Sequence, residues 1–138
     1  MALQQGATDA FKTGLMNGGY NFTSGSFKMA LYTGSATLGP STAVYTGTNE
    51  VVATGYTAGG IALPVSVAPT SSNNITYISF SNVTWYGSIT ARGALIYQSG
   101  GSNPTVCVLD FGSDKTSITS LTVQFPTANS SNAIIRIT

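Results

Sequence analysis

Few side chains in this sequence are of types that do chemistry. Histidine is absent, so the commonest general base, the commonest metal ligand and every Ser-His-Asp or Cys-His arrangement are missing. The carboxyl residues are Asp9, Glu50, Asp110 and Asp114. A glycosidase needs only two carboxyl groups, but nothing in the spacing of these four marks a pair. We therefore expect no enzymatic activity and no catalytic residue.

Metal binding has one weak candidate, the segment that holds Asp110, Gly112, Ser113 and Asp114. Calcium loops place carboxylates in dense alternation, and that alternation is missing here. The favoured interpretation is a solvated turn over residues 110–115. We expect neither a metal nor a cofactor.

Two isolated charges stand out because each interrupts an apolar run. If residues 98–104 form a symmetric loop, Tyr97 faces Thr105, and the same register places Arg92 opposite Asp110. Charges inside a sheet usually need a partner. The sequence thus predicts a cross-strand ion pair between Arg92 and Asp110 that fixes the register of a central hairpin, with ligand binding as the less favoured role.

Aromatic side chains near flexible segments are the candidates for contact with a partner. Tyr20, Tyr45 and Tyr56 lie close to Gly-rich stretches, where tyrosines bind sugars or proteins. They are equally plausible as packing residues. Phe11 and Leu15, on the apolar edge of a short predicted helix, complete the set of candidate interface residues.

The composition limits the class of protein further. The length of 138 residues predicts one domain, 1–138. The net charge of +1 and the scattered basic residues argue against nucleic-acid binding, which needs clustered Lys and Arg. No apolar run approaches the roughly 20 residues of a membrane-spanning helix, so no membrane association is expected. The single cysteine, Cys107, lies in an apolar run and is expected to be buried, which fits synthesis in a reducing cytosol.

The pattern of apolar residues predicts an all-β fold. Thr8 can cap a short helix of at most about three turns that ends at Asn17, so residues 1–25 are expected to form a helical segment packed on the domain or on a neighbour. From Ser26 onward, alternating and continuous apolar runs predict an antiparallel β-sandwich or jelly-roll-like barrel of about seven to eight strands.

Several blocks of this sequence resemble small virion proteins of tailed bacteriophages. The blocks are FKMALYT at 27–33, NEV at 49–51, GYTAGG at 55–60, VTW at 83–85, TARGALIY at 90–97, VLDFGSDK at 108–115, QFP at 124–126 and NAIIRI at 132–137. Together they extend the likeness over most of the chain.

The resemblance implies a structural role in the virion. Among such proteins, the best match is a capsid decoration or cement protein, which binds the outer capsid surface and bridges subunits of the major capsid protein. It further implies synthesis in the host cytoplasm and a homotrimer, since closed symmetry covers strand edges. The alternative is a tail or baseplate component, or an adhesin that binds cell-surface carbohydrate.

Overall fold

The computed structural model describes residues 3–138 and is built almost entirely from β-strands. The elements in chain order are β1 (Gly6–Ala7), α1 (Asp9–Met16), β2 (Phe27–Tyr32), β3 (Ile61–Ala62), β4 (Val65–Ser72), β5 (Ile75–Phe80), β6 (Val83–Tyr86), β7 (Thr90–Gln98), β8 (Thr105–Thr116), β9 (Ser120–Val123) and β10 (Ile135–Ile137). The predicted all-β class with one short helix is confirmed. Residues 3–138 contain ten strands rather than seven to eight, because the two-residue strand β1 is too short to give a pattern and because the chain is interrupted between β3 and β4 and between β5 and β6.

The strands form three antiparallel sheets. The largest has the order β1-β8-β7-β2-β3, the second β10-β5-β4, and the third pairs β6 with β9. The apolar runs at residues 94–96 and 106–109 lie on β7 and β8, inside the largest sheet, as their two-sided apolar pattern predicts. Pro64 separates β3 from β4, and both are edge strands, where the missing proline N–H costs least.

The largest sheet is covered on both faces. One face packs against the two smaller sheets through residues of alternate parity along β2, namely Phe27, Met29 and Leu31. The other face is covered by the long connection between β2 and β3. The buried side chains on this second face are Ala30, Tyr32, Ala36, Leu38, Leu95, Tyr97 and Val108. The segment after Ser35 is therefore a cover over the sheet rather than a free loop.

Helix α1 begins and ends where the sequence predicts. Thr8 is the N-cap, its hydroxyl accepting the Phe11 N–H at 3.1 Å, and Asn17 is the C-cap. The ring of Phe11 meets those of Tyr20 and Phe22 edge-on. Of the two predicted packing modes, the structure has the helix against its own strands. Among residues 3–138, no helix is long and apolar enough to cross a membrane.

The change of apolar parity around Ser81 and Asn82 marks a corner. Strand β5 ends at Phe80 in the three-stranded sheet, and β6 begins at Val83 in the two-stranded sheet. Apolar residues stand at even positions up to Phe80 and at odd positions from Val83 onward, and the chain changes sheet where this parity changes.

Candidate functional site

The two charged groups of the predicted ion pair approach each other. Arg92 Nε lies 3.8 Å from Asp110 Oδ1, and Arg92 Nη1 lies 3.8 Å from Asp114 Oδ1. Tyr97 faces Thr105 as predicted, but the residue opposite Asp110 is Gly93 and not Arg92. The predicted register is wrong by one residue because an extra residue in β8, at Val106, shifts the pairing there.

A second irregularity explains why Arg92 has two acidic neighbours. Between the pairs Ala91↔Lys115 and Gly93↔Asp110, four residues of β8 lie opposite Arg92 alone. Gly112, with φ of 82°, accommodates this bulge and lets Asp114 return toward Arg92. The predicted turn over residues 110–115 is wrong because the segment continues strand β8, whereas its predicted exposure to solvent is correct for residues 112–115.

The contacts of Arg92 are those of a surface ion pair. Both 3.8 Å distances exceed a direct hydrogen bond, and the side chains are partly exposed. Pairs of this kind contribute about 0–1 kcal/mol to stability. The buried apolar side chains of β7 and β8 therefore fix the register more strongly than the pair does.

Arg92 and Asp114 line a cleft of about 320 Å³ at the end of the largest sheet. Its other polar lining residues are Thr33, Ser88 and Thr90, and its apolar lining includes Val51 and Val52. Guanidinium donors, a carboxyl acceptor and hydroxyl groups thus share one small cleft. It can bind polar groups, but among the described residues no cluster of three His, Cys, Asp or Glu side chains could hold a metal ion.

One buried carboxyl that no sequence motif marks receives three hydrogen bonds. Glu50 is only 7% exposed. Tyr45 donates to its Oε1 and Tyr56 to its Oε2, each at 2.5 Å, and the Gly59 N–H donates to Oε2 at 2.7 Å. A buried carboxyl with three donors is a satisfied structural group.

Two further tyrosines extend this network to the sheet. Tyr32 donates to the Thr46 carbonyl at 2.6 Å, and Tyr97 donates to the Gly59 carbonyl at 2.7 Å. Both tyrosines belong to the sheet, whereas both acceptors belong to the covering connection. Residues 45–59 are thus attached to the largest sheet by tyrosine hydroxyls.

Burial sets the chemistry of these hydroxyls. Removal from water raises the pKa of Tyr32, Tyr45 and Tyr56 well above the ordinary value, and the charge of Glu50 raises each pKa further. Burial also raises the pKa of the Cys107 thiol to about 12. These groups stay protonated near neutral pH, and the three tyrosine hydroxyls donate hydrogen bonds.

The structure uses most of the candidate interface residues internally. Phe11 is 3% exposed and belongs to the core, which corrects its assignment as an interface residue. Tyr45 and Tyr56 hold Glu50, and Tyr20 donates to the Thr105 carbonyl at 2.6 Å. Leu15 is half-buried and lines an apolar groove of about 290 Å³ between α1 and β10.

One signal in the sequence points to Glu50. It is the only charged residue between Lys28 and Arg92, and tyrosines stand five residues before it and six residues after it. A lone acid in a long uncharged stretch is a candidate for a buried, bonded carboxyl.

Among the described residues, Glu50 and the tyrosines around it are bonded within the fold. Comparisons with protein-family models, with curated proteins and with solved structures find no match for this chain. The chemistry of its own surface is what bears on its function.

Proposed function

We propose that this chain is a capsid decoration protein of a tailed bacteriophage, which binds the outer shell and bridges neighbouring major capsid protein subunits. The resemblance of its sequence blocks to phage virion proteins is the starting point. Several of these blocks coincide with β2, β7, β8 and the residues around Glu50. The residues that resemble phage proteins therefore include those of the central sheet. We look for the surface that binds a partner on the exposed strands.

The observation that carries the proposal is the open edge strand β4. It is eight residues long, pairs only with β5 and stands last in its sheet. Its outer half, from Ala68 to Ser72, is exposed and carries mostly hydroxyl groups. A free strand edge binds a partner through main-chain hydrogen bonds, and neighbouring hydroxyls add side-chain bonds across a polar interface.

This edge is also protected against uncontrolled pairing. Pro69 removes one N–H from β4, and the register with β5 shifts between Val65 and Val67 and again between Val67 and Thr70. Prolines and bulges of this kind prevent a flat strand from adding to β4 at random. A partner must therefore have a surface that fits the bent edge. A capsid subunit would present such a surface many times on one shell. Many weak contacts of this kind add up to stable retention through multivalency.

The test is co-sedimentation of the purified protein with capsids that lack it. We expect saturable binding that falls strongly in Ser72→Lys, in the exposed half of β4, because a lysine on an edge strand opposes strand addition. Ser102→Lys, on the exposed loop between β7 and β8, is the matched control and is expected to bind normally. Failure of the wild-type protein to sediment with capsids contradicts the proposal.

The second candidate is a tail or baseplate adhesin for carbohydrate. The cleft of Arg92, Asp114, Ser88 and Thr90 favours it, because saccharides bind where donors and acceptors alternate beside an apolar patch such as Val52. Titration of the protein with neutral monosaccharides, followed by NMR, tests it. Chemical shift changes confined to this cleft would support an adhesin, and unchanged spectra would count against one.

A further inference from the structure

Three large apolar side chains are exposed at one end of the protein. Val52 is 96% exposed, Tyr86 74% and Ile118 86%. They belong to the β2–β3, β6–β7 and β8–β9 connections, counting Tyr86 as the last residue of β6. We call this end, with residues 51–55, 86–89 and 117–119, the apolar end. Exposed large apolar side chains grouped in this way mark interaction surfaces more often than scattered ones do.

The three connections touch each other, so the apolar end is a single surface. The Gly87 N–H donates to the Thr119 carbonyl at 2.9 Å, and the Ser117 N–H donates to the Ile89 carbonyl at 2.8 Å. Gly55 packs so closely on the Tyr86 carbonyl that an added Cβ would lie 2.0 Å from its oxygen. These contacts hold the exposed side chains on a rigid support, which lowers the entropy cost of binding.

Charged residues beside this surface cancel one another. Val52 shares its cleft with Arg92 and Asp114, and Asp110 and Lys115 lie on the same stretch of β8. The four charges sum to zero. Because the 3.8 Å contacts of Arg92 are longer than hydrogen bonds, its N–H groups remain free to bond a carboxyl from another molecule.

We infer that the apolar end is the face through which copies of this chain associate. A second copy offers the matching chemistry, because its Asp114 can pair with Arg92 while its apolar side chains cover those of the first. The phage resemblance already implies that copies associate, and the inference adds the face through which they meet. Three side chains are a small core compared with the roughly 800 Å² that each partner buries in a standard interface. We therefore expect association that depends on concentration.

Sedimentation velocity across micromolar to near-millimolar concentrations is the test. We expect reversible association in the wild type, weakened at least about tenfold in the double variant Val52→Ser/Tyr86→Ser, because interface energy concentrates in a few large side chains. Met16→Ser is the matched control. Met16 is 90% exposed, but it lies in α1, which packs near the start of β8 at the opposite end. Circular dichroism checks that each variant remains folded.

Charge reversal provides an independent readout. Asp114→Arg is expected to weaken association because it places like charges together, and Arg92→Asp/Asp114→Arg is expected to recover it because the pair is restored in reverse. A wild type that stays monomeric at every concentration overturns the inference, as does association that the apolar-end variants leave unchanged. If the protein is monomeric and these variants lose capsid binding instead, the face belongs to the capsid contact. The inference is then wrong while the proposed function stands.

Discussion

At the scale of single residues, Glu50 determines how the long connection lies on the sheet. Its carboxyl receives hydrogen bonds from Tyr45, Tyr56 and the Gly59 N–H, all from the β2–β3 connection. The hydroxyl of Tyr56 in turn accepts the N–H of Leu31 in β2. One acid thus ties together the two parts of the connection and, through Tyr56, the central sheet.

Replacing Glu50 by Gln is expected to destabilise the protein by about 1–3 kcal/mol, because an amide offers a donor where a tyrosine hydroxyl needs an acceptor. Urea denaturation followed by circular dichroism measures the change. Asp9→Asn is the control, since the pair of Asp9 with Lys12 is exposed and worth at most about 1 kcal/mol. Equal effects of the two substitutions would contradict the role given to Glu50.

Substitutions at Gly59 and Gly60 can distinguish the cost of a steric clash from the cost of backbone strain. Both have positive φ, but a Cβ at Gly60 would lie 1.8 Å from the Met29 carbonyl oxygen, whereas one at Gly59 meets only the Tyr97 hydroxyl at 3.5 Å. Gly59→Ala is expected to cost about 1–2 kcal/mol, the strain of a left-handed residue. Gly60→Ala must also displace β2 and is expected to cost more. Thermal unfolding of both variants compares them, and a Gly60→Ala variant no less stable than Gly59→Ala would disprove the close contact.

What the sequence predicts at this scale follows from burial patterns. It places Cys107 in the core correctly, because its neighbours are apolar. It cannot place Tyr45 or Tyr56, because a tyrosine near a glycine-rich loop has the same pattern whether it faces solvent or a buried carboxyl. Their partner Glu50 is only five or six residues away, and its isolation in an uncharged stretch marks it as a candidate for burial, but only the fold shows that these two tyrosines bond it.

At the level of helices and strands, local sequence signals locate α1 and the central strands. They do not predict the register of strand pairing or the positions of bulges. Thr8 predicts the helix start, and the two-sided apolar runs predict β7 and β8. The extra residue at Val106 shifts the register and is not recognisable, since Val-Cys-Val is apolar on either face. The bulge opposite Arg92 is missed for a similar reason, because DFGSDK is also a typical turn sequence.

The cap of α1 also connects the helix to the sheet. The Thr8 hydroxyl is fully buried, accepts the Phe11 N–H and lies 2.9 Å from the hydroxyl of Thr105 in β8. Thr8→Ala is expected to destabilise the protein by about 1–2 kcal/mol, through loss of the cap and of this contact. Thr8→Ser keeps the hydroxyl and is expected to retain most of the stability. Chemical denaturation of both variants is the measurement, and equal losses would assign the effect to the methyl group instead.

At the scale of the whole molecule, the covering connection is the feature that the sequence could not predict. Residues 33–60 are polar and weakly patterned, yet Ala36, Leu38 and Tyr45 cover one face of the largest sheet. These residues contact strands that are distant in the sequence, so no periodic pattern of apolar residues predicts their packing. The same arrangement buries several titratable groups, which gives the protein a characteristic response to pH.

We expect the free energy of unfolding to fall at alkaline pH. The pKa of Cys107 rises from 9.0 in the unfolded reference to about 12, and the pKa values of Tyr32, Tyr45 and Tyr56 rise from 10.0. A raised pKa means that the folded state holds its proton more tightly. The contribution of these groups is complete below the unfolded pKa values and is lost as pH rises above them.

Urea denaturation at about pH 7, 9 and 11 tests this, with little change expected over the first step and a loss of at least about 2 kcal/mol over the second. Stability that is unchanged between the last two conditions would mean that these groups ionise freely in the folded protein.

The central claim, that the chain decorates a phage capsid, is tested most directly by cryo-electron microscopy of the intact virion. We expect density fitting this all-β protein on the outer shell, where the β4 edge contacts the major capsid protein and copies meet around the apolar end as a trimer. Density for this fold confined to the tail, or absent from the particle, would contradict the account.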